Sequence, residues 1–486
     1  MPANSEVKLR LARVRIRPRL LPTYKRHTMD LHVSGAGRPN ENDYLYGRGA
    51  AWFAFAMTMG LMVFDYADRQ VIVAIFPHLK AAWGLSDKQL GGLVSIVSIT
   101  VALGAIPVAL IADRASRVKS IVAMAIAWSL ASISCMFTRN YGQLLAARGI
   151  VGLGEAGYGS VGAALIASHF PLRMRGALMA GFFASAGFGS VLGVMLGGII
   201  ATKWGWEAAF GVVGVPGLIL AVLYLFVRDY RTVELTPTLE QATHSAGGVA
   251  RRIVQVLTRS RTLAWIFIGA PAQLIVLSSV MAWLPSFLNR VHGLDPAAAS
   301  VKAALVVLIG SVGAIVSGII VDRAGRNRSL GKFVAMASLC VATFVAFVAA
   351  FGAPRFGVAL SPQTQFALIA IGGFLMSCTA GPVSAIVIDV VHPGVRATGI
   401  SVLALVQNLF GLALGPFISG VLSDSIGLES ALSIIPTFSL LAAGCLLMAA
   451  RSYEADKARA NEMPVATEAT AFASIDPRRG FAKCAP

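Results

Sequence analysis

Twelve long apolar runs separated by short polar breaks make up most of the chain. They fall at roughly 50–76, 89–112, 120–138, 142–168, 176–200, 207–227, 262–288, 302–321, 333–353, 364–390, 397–422 and 428–450. A helix needs about 20 apolar residues to cross the hydrocarbon of a bilayer, and inside lipid a chain must satisfy its own backbone hydrogen bonds. Each run therefore predicts a transmembrane helix. The pattern divides the chain into a basic N-terminal tail (1–49), a six-helix bundle (50–227), a linker (228–261), a second six-helix bundle (262–450) and a C-terminal tail (451–486). The expected fold class is an all-α membrane protein of twelve transmembrane helices in two pseudo-symmetric six-helix bundles. The first run is too long for a cleavable signal and reads as an anchor. Residues 1–28, with Glu6 their only acid, and residues 452–486 read as disordered extensions. In the linker, Arg251, Arg252, Arg259 and Arg261 surround apolar Ile253, Val254, Val256 and Leu257, the pattern either of a helix lying on an anionic leaflet or of a solvated connection.

The halves repeat one another. Ala112-Asp113-Arg114-Ala115-Ser116-Arg117 after span two matches Val321-Asp322-Arg323-Ala324-Gly325-Arg326 after span eight. Gly189 and Gly193 of span five match Gly411 and Gly415 of span eleven. Gly205-Trp206-Glu207-Ala208-Ala209-Phe210 matches Gly427-Leu428-Glu429-Ser430-Ala431-Leu432. Three matches in one order indicate a duplicated unit, and such repeats place a binding site at their interface.

Composition agrees: 56% of the 486 residues are hydrophobic and 13% charged, against about 25% charged in soluble domains. The net charge of +18 would suggest nucleic acid in a soluble protein. Here membrane sidedness accounts for it, and no nucleic acid is expected. With both termini cytoplasmic, the outer loops hold only Lys80, Lys88, Arg139, Lys203, Arg290, Lys302 and Arg355 of the 41 basic residues, and Arg69 and Arg148 lie within spans. A multi-pass protein of the plasma (inner) membrane is expected. The five cysteines show no metal or redox spacing and the seven histidines fall in loops, tails or helix ends. Walker, hydrolase-elbow and dinucleotide patterns are lacking, so neither an enzyme nor a cofactor or metal is expected.

Ionisable groups inside a bilayer are costly and by default functional. Span one carries Asp65, Asp68 and Arg69, and span four Arg148 and Glu155; the directions of the two spans put all five between mid-membrane and the outer half. Arg148 and Glu155 are about 10 Å apart along one helix face, too far to neutralise each other. Arg148 therefore needs a span-one aspartate or an anionic solute. Asp65 and Asp68 lie one turn apart, where like charges in a low dielectric resist joint ionisation, an arrangement suited to proton uptake and release. An ion pair between Asp65 and Arg69 at i,i+4 spacing is the structural alternative. The second half has only Asp389 within a span, beside His392 and Arg396. Spans seven and ten offer Gln273, Ser278, Ser279, Trp283, Ser377, Thr379 and Ser384, suited to an amphipathic solute or to packing.

The loop from Gly318 through Asp322 and Arg323 to Arg326, with its first-half counterpart at Asp113, Arg114 and Arg117, resembles the cytoplasmic signature of the major facilitator superfamily. The first copy has Ala109 and Ser116 where the family has glycine and Val118 in place of a basic residue. The resemblance covers about 50–450. It implies two bundles rocking around a central cavity, with these six charged residues as the cytoplasmic gate. Asp65-Tyr66-Ala67-Asp68-Arg69-Gln70, Arg148 with Gly152-Leu153-Gly154-Glu155-Ala156-Gly157-Tyr158, and Gly381-Pro382 with Asp389 and Arg396-Ala397-Thr398 resemble the spinster-type branch. That likeness implies proton and substrate coupling at Asp68, Arg148 and Glu155, and lysolipids, sphingoid phosphates or other amphipathic anions as substrates. The neighbouring anion:cation symporters, which carry sugar acids and aromatic carboxylates, share the span-one Asp-Arg and the Gly-Glu-Ala of span four. The expectation is a monomeric secondary transporter in the lipid bilayer, coupled to protons, whose small organic solute is an amphipathic or lipophilic organic anion such as a lysolipid. An organic-anion symporter and a non-transporting sensor are the alternatives; a channel lacks any filter-like segment.

Overall fold

In the computed structural model of the chain, residues 44–114, 116–229, 260–391 and 396–462 are described. The N-terminal tail to residue 43, Arg251, Arg252 and Arg259 of the linker, His392 and the end of the C-terminal tail lie outside them. The first half contains α1 (Arg48–Ala74), α2 (Phe76–Trp83), α3 (Asp87–Arg114), α4 (Arg117–Cys135), α5 (Tyr141–Glu155), α6 (Tyr158–His169), α7 (Leu172–Trp204) and α8 (Trp206–Tyr224). The second contains α9 (Arg261–His292), α10 (Pro296–Ala324), α11 (Ser329–Gly352), α12 (Pro362–Leu375), α13 (Ala380–Val390), α14 (Arg396–Gln407), α15 (Leu414–Ile426), α16 (Leu428–Ile434) and α17 (Thr437–Glu462). Among the described residues, 12 helical segments are long and apolar enough to cross a membrane.

Polar loop residues start several of these helices. Ser116, Asn140, Ser260 and Ser361 each accept the backbone N–H three residues on, a cap worth about 1 kcal/mol. The duplication reaches the backbone. Gly205 (φ 89°, ψ 155°) and Gly427 (φ 83°, ψ 154°) precede α8 and α16 in nearly the same conformation, one that a Cβ disfavours. Close helix contacts repeat as well. A side chain at Gly193 of α7 would collide with the Ala67 carbonyl of α1, and one at Gly415 of α15 with Ser278 of α9. Each bundle thus presses its fifth span closely onto its first at a glycine.

Spans four and ten depart from the sequence pattern. Each reads as one apolar run, yet each is broken mid-membrane. Span four stops at Glu155, turns through Ala156 and Gly157 (φ 86°), and resumes at Tyr158. Span ten stops at Leu375, turns through 376–379, and resumes at Ala380. Span eleven is also irregular, with a π-turn over Asn408–Leu412 between α14 and α15. The last helix corrects the expected tail boundary at residue 451: α17 continues to Glu462. Buried Tyr453 donates to Asp389 (2.6 Å), and buried Asp456 accepts from Ser260 (2.7 Å) and from the Thr262 N–H (2.9 Å).

Buried apolar side chains form three clusters. One runs through both bundles and includes Phe76, Leu90, Trp206, Trp283 and Leu432. The second lies wholly in the first half, around Ile121, Tyr158 and Phe182. The third lies wholly in the second half, around Phe267, Phe333 and Tyr453. The two bundles are therefore fused at the end that carries Asp87 and have separate cores at the end that carries the Asp113 and Asp322 loops.

Candidate functional site

The five charged residues of spans one and four come together where the bundles meet. Asp65, Asp68, Arg148 and Glu155 are all buried, and the Arg69 side chain is 19% exposed. Arg69 Nε lies 3.0 Å from Asp65 Oδ1 and 3.0 Å from Glu155 Oε2. Its single proton is directed at Asp65, so Glu155 gains charge attraction without a hydrogen bond. Arg148 Nη1 lies 3.3 Å from both Asp68 Oδ2 and the Asp68 carbonyl oxygen. The i,i+4 pair of Asp65 and Arg69 thus exists and is shared by Glu155, and Arg148 finds its partner in Asp68. Three carboxyls face two guanidiniums. Asp68 Oδ1, both Glu155 oxygens and Arg148 Nε are buried without a hydrogen-bond partner, a cost that structural ion pairs normally avoid.

Local structure explains this placement. Asp65, Asp68 and Arg69 occupy one turn of α1 and its successor, held by the Gly193 contact at Ala67. The turn at Ala156-Gly157 ends α5 on Glu155 and lets the carboxylate meet Arg69. Gly152 and Gly154 have no room for side chains against Val97 and Trp128, so α5 is packed tightly along α3 and α4.

Beside the cluster, a cavity of about 330 Å³ lies between the bundles. Arg69, Arg148, Tyr66, Gln70, Ser98 and Ser190 are the polar part of its first-half wall, with Val73, Val94 and Val97 beside them, and the three buried carboxyls stand behind the arginines. Tyr66 also places its ring 5.3 Å from the Arg69 guanidinium. The second-half wall is mainly apolar, with Leu277, Met281, Val307 and Met376, and with Ser278, Ser311 and Ser377 as polar points. Met376 and Ser377 belong to the break in span ten, and Leu412 of the π-turn completes the wall. Helix breaks at matching positions in the two halves mark binding sites in transporters, and π-turns often mark functional positions.

The remaining expected residues divide. Ser278 and Ser377 reach the cavity. Gln273 sits behind it and donates to the Met376 carbonyl freed by the break (3.0 Å). Ser279 and Thr379 are buried, Trp283 donates to the Pro416 carbonyl (3.1 Å), and half-buried Ser384 bonds its own helix. Asp322, Arg323 and Arg326 are exposed and Arg117 is half-buried; the side chains of Asp113 and Arg114 lie outside the described ones. Asp389 lies 3.8 Å from Lys332 as well as bonding Tyr453. Sequence reasoning passed over Tyr66, Ser98 and Ser190. Tyr66 stands between two of the charged residues, which is the signal it offered; single serines on apolar helices offer none.

Comparison with known proteins places this architecture. The Major Facilitator Superfamily profile matches residues 58–409. A gallate transporter of Pseudomonas putida is 27% identical over 419 residues, covering 80% of this chain and 90% of that protein. Protein spinster homolog 3 of Danio rerio is 26% identical over 402 residues, 77% of each chain. In fold, the chain is similar to a bacterial homolog of the human lysosomal transporter Spinster in an inward-facing, occupied conformation. The TM-score is 0.72 at 20% identity, covering 84% of this chain and 99% of that one. A two-bundle helical fold, a profile match over most of its length and relatives that include spinster proteins make this chain a membrane transporter of the major facilitator superfamily.

Proposed function

We propose that the chain is a proton-coupled carrier of a compact organic anion. The observation that carries this reading is the layering of the ion cluster: arginines at the cavity wall, carboxyls behind them. An anion in the cavity competes with those carboxyls for Arg69 and Arg148. A carboxylate deprived of its cation in a dry interior is strongly disfavoured, and a proton restores neutrality. Anion binding and proton binding therefore support each other. Glu155, which has charge attraction but no directed bond, is the first group to take the proton, with Asp68 and Asp65 as its neighbours in the exchange.

Cavity size favours a small solute: about 330 Å³ lies at the lower end of the range of small-molecule sites, which suits a sugar acid or an aromatic carboxylate. The apolar second-half wall favours a solute with a carboxylate at one end and a flat or apolar body at the other. Curated relatives named for gallate, L-galactonate and niacin agree in kind.

The distribution of basic residues supports an inner-membrane orientation with both termini and the Asp113 and Asp322 loops cytoplasmic. In that orientation the separate cores of the two bundles lie on the cytoplasmic side, and Asp113, Arg114, Arg117, Asp322, Arg323 and Arg326 form the gate of that face. One chain supplies the whole cavity, so a monomer suffices. The test uses protein in liposomes with an internal pH dye, screened against aromatic carboxylates, sugar acids and lysolipids. Acidification driven by a small carboxylate, and lost in Glu155→Gln and Asp68→Asn, is the expected result. Saturable flux without proton movement would overturn the coupling, a response to lysolipid alone would overturn the substrate class, and no flux from folded protein would favour a sensor.

A further inference from the structure

The fused end of the molecule carries a second ion cluster, remote from the cavity charges and made by residues of both bundles. Asp87, the first residue of α3, is 2% exposed. Arg290 at the end of α9 grips it with both terminal nitrogens, at 2.6 and 2.9 Å. Ser423 of α15 donates to it at 2.5 Å, and Lys80 of α2 at 2.6 Å. In exchange, Asp424 of α15 accepts the backbone N–H groups of Asp87 and Lys88 at 2.8 and 2.9 Å, the first-turn donors of α3 that have no partner inside the helix. Nearer the cavity, Ser95 of α3 donates to the Ala413 carbonyl beside the π-turn (2.5 Å). Along this seam α3 and α15 touch backbone to backbone: a side chain at Gly91 would strike the Pro416 carbonyl, and one at Gly420 the Asp87 carbonyl.

We propose that Asp87, Arg290 and Asp424 form the gate at this end of the transporter, a reciprocal clasp in which each bundle gives the other one carboxylate. Breaking it opens the cavity to that side. The partners are arranged for release. When the bundles part, Asp87 keeps Lys80, which belongs to its own bundle, so its charge is not stranded. Asp424 is exposed already and returns to water at little cost. Arg290 retains the face of Trp283, 5.8 Å away on its own helix. A brace built for rigidity would place its charges within one bundle. Here the two-nitrogen grip of Arg290 and both Asp424 bonds cross between bundles, and the glycine seam gives those bonds a fixed register.

The test leaves substrate out and so stands apart from the proposed function. In a chain whose five native cysteines are replaced, Met281→Cys puts one thiol on the cavity wall, and a membrane-impermeant thiol reagent is applied from the Asp87 face of sealed vesicles. Asp87→Asn and Arg290→Gln are each expected to raise the labelling rate by about tenfold, the population shift that one charge-assisted hydrogen bond supplies. Their combination should exceed neither single change, because both remove the same contact. Asp424→Asn should raise labelling by a smaller factor, and as a change at an exposed side chain it keeps the test alive if Asp87 variants do not fold. Unchanged labelling in monodisperse variants with wild-type melting, or a double variant whose effect is the product of the singles, would overturn the clasp.

Discussion

Replacing Asp68 by asparagine probes the ion cluster most directly. The substitution keeps shape and a hydrogen-bond acceptor and removes one charge. Arg148 is fully buried and lies 3.3 Å from the Asp68 carboxylate; Asp65 and Glu155 are both engaged with Arg69. Asp68→Asn therefore leaves a guanidinium in the protein interior with a neutral partner. Breaking a buried pair in this way costs about 3–5 kcal/mol. Replacing both partners removes the stranded charge, so Asp68→Asn with Arg148→Gln should recover at least half of that loss. Thermal unfolding in detergent, supported by chemical denaturation, measures the order: wild type most stable, the single variant least, the double between them. Transport should be lost in both, because the double variant lacks the anion contact. A single variant as stable as wild type would refute the reasoning, since Asp68 would then contribute no charge to Arg148 in this state.

Two further outcomes follow from neighbouring features. Arg148→Lys keeps the charge but loses the planar fork, and should raise KM for the transported anion by about tenfold with a smaller effect on the maximal rate, as initial uptake at varied solute concentration will show. Gly427→Ala and Gly205→Ala should each destabilise the protein by about 1–3 kcal/mol, the cost of holding an L side chain in a φ,ψ region that glycine alone occupies readily, and by similar amounts because the two turns are copies; unequal melting shifts would count against the shared backbone.

Much of the architecture was legible in the chain because lipid imposes a simple pattern. Twelve apolar runs became twelve spanning segments, and the matched strings at Gly205 and Gly427 became matched dihedrals. The buried charges were legible for the same reason: Asp65 or Arg148 stands out against apolar neighbours. The breaks in spans four and ten were not, because a turn packed against other helices remains apolar; only Gly157 hinted at one. The extension of α17 escaped a hydropathy reading that stopped where polar residues began, although Tyr453, Asp456 and Ala460, all buried, follow a helical spacing. The contact between Asp87 and Asp424 joins residues 337 positions apart, and no local pattern encodes it. Lys80 and Arg290 entered the sequence reading only as expected outer-loop charges, with no partner for either.

The cavity has unlike walls: all of its charge comes from the first copy of the duplicated unit, and most of its apolar surface from the second. Once the ancestral unit had doubled, the copies were free to specialise. A mutation at Leu277, Met281, Val307 or Met376 reshapes the space for a solute's body while leaving Arg69, Arg148 and their acids untouched. The space for a solute is thus reshaped by single steps in one half, with the ion cluster inherited intact in the other. Such a division lets one scaffold change the form of its cavity without disturbing the charges that line it.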